Sequence, residues 1–514
     1  MQIRDLKRTI NFSGLKNLSG YFLLLGSFFL LLRILLFCFS NDLWYDEVFS
    51  VGFLRHSYGE ILQLTAADVH PPFYYWYLKL FVSLGTFLFP ALSEIMFAKL
   101  ASWFPFALLW LLSITVLRKK TGALCSGTFS FCVLGMPQLS AYSVEIRMYS
   151  LALLLITLAF LFSLQVFKTD SRIAYGGLFF CGILTAYTQY FSCIAIVVLY
   201  LLLLFFLIVN NRNKGKWLLC VILSVASYLP WLPVFIRQFT SVGSSYWIPP
   251  LSWRSFLGAV KYIYLPLGGY PVLNYLLAGL MIAVTFLFLI IFFLKKWKEG
   301  ITFDEDLFFI ISGFGLTAGV ILIGVTLSLL ISPIFVYRYM IPTLGVFWLT
   351  FAFLLSKYGG QLLPLLTLLL TIYVGSVNIR GFFWEEGQKQ VQMEAANTAL
   401  ETLKPEDILI FNFNHPQAVV GSYVSNPSYL LFQEAEPLIQ TLYGDYGTLS
   451  DSKEIKELLE NGHSVKFLGS FEAREDLVKE WEQEGIFSQL EGSYLLERYW
   501  LNFYSLSLNR AESF

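Results

Sequence analysis

Apolar runs of about 20 residues, the length that carries a helix across hydrocarbon, recur near 21–40, 92–117, 122–140, 148–167, 173–191, 192–209, 217–235, 271–294, 307–331, 338–356 and 361–377. They predict about eleven transmembrane helices within residues 1–377. The connections alternate in character. Arg118-Lys119-Lys120, Lys168 to Arg172, Arg212 to Lys216, Lys295 to Lys298 and Lys357 are short and basic, and between them come loops poor in Lys and rich in Trp, Tyr and Pro. Lys and Arg mark cytoplasmic loops. The basic N-terminus (Arg4, Lys7, Arg8) is therefore expected inside, with the first outward loop 41–90, the aromatic loop 236–270 and the C-terminal tail outside. The first run is longer than a signal-peptide core and has no Ala-x-Ala end, so it is expected to be a retained span. An odd number of spans puts the termini on opposite sides.

From about Asn378 the pattern changes. Charge rises and short helical and strand periods alternate: a helix over Val391–Leu403, a strand over Asp407–Phe413, a helix over Glu454–Asn461, a strand over His463–Gly469, a helix over Glu472–Glu484 and a strand over Tyr494–Tyr499. Residues 378–514 are thus expected to form a small extracytoplasmic α/β domain.

Composition agrees with this division. The 514 residues are 57% hydrophobic and 14% charged, with mean hydropathy +0.64, which a soluble domain does not show. The net charge of zero gives no electrostatic reason to expect nucleic acid. The six cysteines lie in or beside apolar stretches, so they read as small buried hydrophobes, without metal-ligand or disulfide spacing.

The candidate chemistry gathers at span ends on the outward face. Asp46 and Glu47 follow the first span, Asp68 and His70 precede Pro71-Pro72, Glu145 and Arg147 lie in SVEIRMYSL just before Tyr149, and Arg338 lies in IFVYRYMIP beside Tyr339. Carboxylates beside a bilayer are costly unless solvated, paired or used. A sugar on a lipid phosphate needs no general acid, because phosphate leaves as a stable anion. It needs cations to hold that anion, which the planar donors of Arg suit, and a carboxylate to take a proton from an acceptor hydroxyl.

In this order, WYDE, DVHPPFYY, EIRMY and RYMIP resemble the integral-membrane glycosyltransferases of the GT-C type, glycosyltransferase family 39, which includes the dolichyl-phosphate-mannose protein mannosyltransferases and the aminoarabinose transferases. The resemblance covers roughly the first 350 residues. It implies a GT-C fold, an outward active site, a polyprenyl-phosphate sugar donor and inversion at the anomeric carbon. It implies Asp46 as the catalytic base with Glu47 and Asp68 beside it, and His70, Arg147 and Arg338 at the donor phosphate. Glu145, Tyr149, Tyr339 and Trp247 would support the site, Trp247 from the aromatic loop with Pro249, Pro250 and Trp253. One departure is visible: relatives often carry an acid directly before the basic residue of the Pro pair, whereas here Val69 intervenes.

The expected partners are a polyprenyl-phosphate-linked sugar, an acceptor glycan, lipid or protein, and the bilayer of the plasma (inner) membrane. No cofactor or metal is expected, and a divalent-ion requirement is left open. Asp304-Glu305-Asp306 reads as a solvated span end, and His415 and His463 as surface residues. Arg33, inside the first span, requires an intramolecular partner. A lipid or solute transporter is the alternative, which predicts repeats and mid-depth charges; a non-catalytic scaffold is a second.

Overall fold

The computed structural model describes residues 12–40, 42–241, 248, 250–265, 272–380, 387–432, 437–444, 446–471 and 473–508. The chain divides into two compact units, one of Met1–Ser40 with Ile61–Ile379 and the other of Asn41–Glu60 with Arg380–Phe514.

The first unit is helical. Among the described residues, nine helices are long and apolar enough to cross a membrane. One of them, Glu94–Gly135, runs 42 residues and breaks at Gly122, whose φ of +85° lies in the left-handed region that favours glycine. It therefore supplies two of the expected spans. The apolar helix Arg172–Ala186 has only 15 residues and covers another. The multi-pass helical architecture expected from the sequence, with a small α/β domain, is thus present.

Packing within this unit explains several residues. The helices Phe12–Phe37 and Arg118–Gly135 meet backbone to backbone: a Cβ on Gly20 would come within 2.3 Å of Ala123, and one on Gly127 within 2.3 Å of the Gly20 carbonyl. Such close approach uses small residues as membrane helices commonly do. The partner that Arg33 required is the end of the last apolar helix. Its guanidinium donates to the Asn378 carbonyl at 3.2 Å and to Ser140 Oγ at 2.6 Å. The acidic run at 304–306 is tied into ion pairs, Asp304 with Lys296, Glu305 with Lys168 and Asp306 with Lys357, while Asp304 Oδ1 caps its helix from Leu307 N at 3.0 Å.

The second unit carries one mixed sheet of order β3-β2-β1-β4-β6-β5. Its strands are β1 (Ile408–Phe411), β2 (Ser428–Leu431), β3 (Gly447–Leu449), β4 (Val465–Ser470), β5 (Phe487–Leu496) and β6 (Tyr499–Ser507). β1 to β4 pair in parallel, and β6 joins antiparallel to β4 and β5. Ile410, Phe467, Trp481, Ile455 and Tyr504 form the core. The expected strand over Tyr494–Tyr499 straddles the β5–β6 turn, where Glu497 adopts a φ of +55°. β2 and β3, of four and three residues, are too short to leave a period in the sequence.

Candidate functional site

In the first unit, Asp68, Val69 and His70 form the bend between the helices Tyr58–Ala67 and Phe73–Leu88. The Asp68 amide still bonds back to Leu64 at 3.0 Å, and the two prolines then stop the helix from continuing. The bend turns both side chains to one side, so His70 Nδ1 meets Asp68 Oδ2 at 2.7 Å despite the intervening Val69. The other ring nitrogen, Nε2, lies 3.3 Å from Arg147 Nη2. A guanidinium can only donate. Nε2 therefore accepts, the hydrogen sits on Nδ1, and Asp68 receives it. Asp68, His70 and Arg147 form one chain in which the carboxylate fixes the ring and the ring aims the cation.

Arg147 sits in the irregular stretch ahead of the Tyr149–Thr169 helix and is buried, as are Glu145 and Tyr149. The Glu145 carbonyl accepts from Ser102 Oγ at 2.6 Å, which pins this stretch to the Glu94–Leu112 helix. The Tyr149 ring packs edge-on against Tyr142 at 5.1 Å, within the electrostatic reach of both Arg338 and Arg147. Arg338 lies in the short Tyr337–Met340 turn of helix, and its neighbour Tyr339 stacks on Phe191 at 4.8 Å.

His70 and Tyr339 both open onto a cavity of about 440 Å³. Its wall is mostly apolar and aromatic, with Phe191, Tyr228, Leu232, Phe235 and Leu327 among its residues. That lining suits a hydrocarbon chain with a polar end at a few fixed points. Three polar residues in the wall were not among the sequence candidates. Gln238 donates to the Thr65 carbonyl at 2.7 Å and receives the Tyr190 hydroxyl. Gln189 is 4% exposed, and its Oε1 accepts from Ser192 Oγ at 2.7 Å while its Nε2 finds no hydrogen-bond partner among the described residues. A buried amide donor left unsatisfied is costly, and one on a cavity wall is available to a ligand oxygen. A lone glutamine in an apolar sequence gives no signal of this.

In the second unit, Asp46 and Glu47 open the helix Tyr45–Gly52 in its first turn, where a helix N-terminus favours negative side chains. Glu47 is buried and its carboxylate accepts from the Trp44 amide at 3.2 Å, so it caps the helix that carries Asp46. The Trp44 ring lies under the Arg498 guanidinium at 3.8 Å. His415 is a correction to the sequence reading. Rather than a surface residue, it is a partly buried ring stacked on Tyr45 at 3.7 Å, with its Nδ1 3.1 Å from Tyr499 Oη. Burial pulls its pKa down to about 4 against the opposing attraction of the Asp46 carboxylate. His463 is exposed as expected. Trp247 and Pro249 lie outside the described residues. Among the described residues no group of three His, Cys, Asp or Glu is arranged to hold a metal ion.

No protein-family model matches the chain, and no curated protein does. Solved structures do. The crystal structure of ArnT from Cupriavidus metallidurans bound to undecaprenyl phosphate is similar over 94% of this chain and 97% of that one, with 13% identity and a TM-score of 0.55. The chain shares the ArnT fold. The apo-state structure of the same ArnT matches over 92% and 96%, with 14% identity and a TM-score of 0.44. The shared fold is the GT-C architecture expected from the ordered motifs.

Proposed function

We propose that this chain is a glycosyltransferase that moves a sugar from a polyprenyl phosphate to an acceptor hydroxyl on the outer side of the membrane, with inversion. The observation that carries the reading is an arginine, Arg147, joined through a carboxylate-fixed His70 to the wall of an apolar cavity of about 440 Å³. It is supported by the fold shared with ArnT, whose structure is described as bound to undecaprenyl phosphate. The outward orientation rests on the basic loops, which mark the other face as cytoplasmic.

In the reaction the acceptor oxygen attacks the anomeric carbon from the face opposite the phosphate. The carbon–oxygen bond to phosphate breaks as the new glycosidic bond forms, and the phosphate leaves with the bonding pair. Arg147 and Arg338 carry the charge that develops on the phosphate, and His70 keeps Arg147 oriented. Asp46 takes the acceptor's proton. Glu47 holds the helix of Asp46, and Asp68 acts on the phosphate only through His70 and Arg147. The polyprenyl chain in the apolar cavity supplies binding energy remote from the reacting carbon.

The test uses proteoliposomes with radiolabelled undecaprenyl-phosphate-linked sugars and an envelope extract as acceptor. The wild-type chain should form a labelled covalent product and Asp46→Asn should not, with both proteins equally monodisperse. Lipid movement across the vesicle with no covalent product would replace this reading with a transporter.

A further inference from the structure

The second unit brings together two segments, Asn41–Glu60 and Arg380–Phe514, more than 300 residues apart, and the meeting point follows from its sheet. The chain runs from β1 outward through β2 to β3, then returns to place β4 on the other side of β1. In such α/β sheets the crevice at the carboxyl ends of the two strands flanking the reversal is where ligands sit. Here Asn412, just past β1, locks that crevice to the end of β4: its Nδ2 donates to the Ser470 carbonyl at 2.8 Å, and its Oδ1 accepts from Ser470 N at 2.9 Å. The β1 turn reads Phe411-Asn412-Phe413-Asn414-His415, without the glycines that let a phosphate approach the backbone.

Aromatic rings fill the crevice instead. Phe471, held at a φ of +59° at the end of β4, meets Phe413 edge-on at 5.2 Å; Phe413 lies 4.5 Å from His415; and His415 stacks on Tyr45 at 3.7 Å and 18°. A left-handed φ on a residue as bulky as Phe costs free energy and persists only where the surroundings impose it. Beside the ladder, the Tyr45–Gly52 helix packs on the helix Pro437–Tyr443. A Cβ on Gly52 would come within 2.6 Å of the Leu442 carbonyl, and the Tyr443 hydroxyl reaches the Tyr45 carbonyl at 3.5 Å. His56 Nε2 lies 3.3 Å from the Thr441 carbonyl.

We infer that the C-terminal α/β domain uses its ligand crevice to hold the Asp46 helix, with His415 as the positioning residue that fixes Asp46 through its stack on Tyr45. The inference rests on the reading of Asp46 as the base. At neutral pH the His415 ring is uncharged, so it acts as a flat stacking surface. Among the described residues, the ionisable groups facing it are the Asp46 carboxylate and the Tyr45 and Tyr499 phenols.

The experiment uses the full chain in detergent with three substitutions. His415→Ala removes the stack, His415→Phe keeps a flat ring, and Gly52→Val pushes the helix off Leu442. Hydrogen–deuterium exchange of residues 45–52 should rise at least tenfold in His415→Ala and Gly52→Val, with β4 and β6 as protected as in the wild type. Transfer kcat should fall at least tenfold in these two variants and return to within about threefold of wild type in His415→Phe, while undecaprenyl phosphate affinity stays within twofold throughout. Unchanged exchange in His415→Ala, equal loss in His415→Ala and His415→Phe, or loss of protection spread through β4 and β6 would each overturn the inference. A wild-type chain that transfers no sugar would defeat the proposed function alone, because the exchange arm still decides whether His415 holds the helix.

Discussion

Replacing Asp68 by Asn separates charge from shape in the Asp68–His70–Arg147 chain. The volume is conserved and both residues are mostly buried, at 12% and 19% side-chain exposure for Asp68 and His70. A charge-assisted hydrogen bond contributes about 1.5–3 kcal/mol and a neutral one about 0.5–1.5. If the new amide presents its oxygen to Nδ1, the tautomer survives and the loss is about 1 kcal/mol, or roughly fivefold in kcat/KM. If it presents its nitrogen, Nε2 must carry the hydrogen and then points a donor at the Arg147 donor 3.3 Å away. That arrangement costs a second bond of about 1–3 kcal/mol, so the amide settles with its oxygen toward the ring. The expected result is therefore about a fivefold loss in kcat/KM for the polyprenyl-phosphate sugar. His70→Phe, which removes the link altogether, should lose about a hundredfold, near the upper range for a bond to a charged group. The assay is initial-rate transfer against donor concentration, with thermal unfolding in detergent as the control for stability. A His70→Phe protein with wild-type kcat/KM would refute the reasoning that the imidazole orients Arg147.

Three further outcomes follow from the same structure. Gln189→Leu removes the buried amide whose Nε2 has no hydrogen-bond partner among the described residues; stability should be unchanged or rise by about 1 kcal/mol while undecaprenyl phosphate binding weakens several-fold, both measurable by thermal shift with and without the lipid. His415 has a folded-state pKa near 4 against an ordinary 6.5, so the folded chain binds fewer protons than the unfolded one between those values. Stability is full above pH 6.5 and falls as pH drops toward 4, by about 1–2 kcal/mol at pH 5; His415→Phe should remove this part of the dependence when melts at pH 7.5 and 5 are compared. Gly127→Leu, facing the Gly20 carbonyl at 2.3 Å, should abolish folded yield on size-exclusion chromatography, whereas Gly176→Ala, with nothing within 4 Å of the added Cβ, should be neutral.

The apolar runs and the basic loops between them are local properties, so the long apolar helices and the presence of a small α/β domain were readable without any structure. The helix cap made by Glu47 and the ion pairs of Asp304, Glu305 and Asp306 lay within reach of spacing rules, yet their partners did not. Tertiary structure decided the rest. Val69 looked like an interruption between Asp68 and His70, but the bend before Pro71 brings the two side chains together, and backbone geometry of that kind has no signature in residue spacing. Gln189, Gln238 and Tyr190 became cavity residues only because helices distant in the chain enclose a space between them. His415 carried no signal at all. Its neighbours Tyr45 and Tyr499 come from 370 residues before it and 84 after it, and contacts closed over such separations depend on which faces of the sheet and helices the whole fold buries together. Which segments are helical, apolar or charged is a local preference written in residue order; which of the charges and rings meet depends on how distant segments pack.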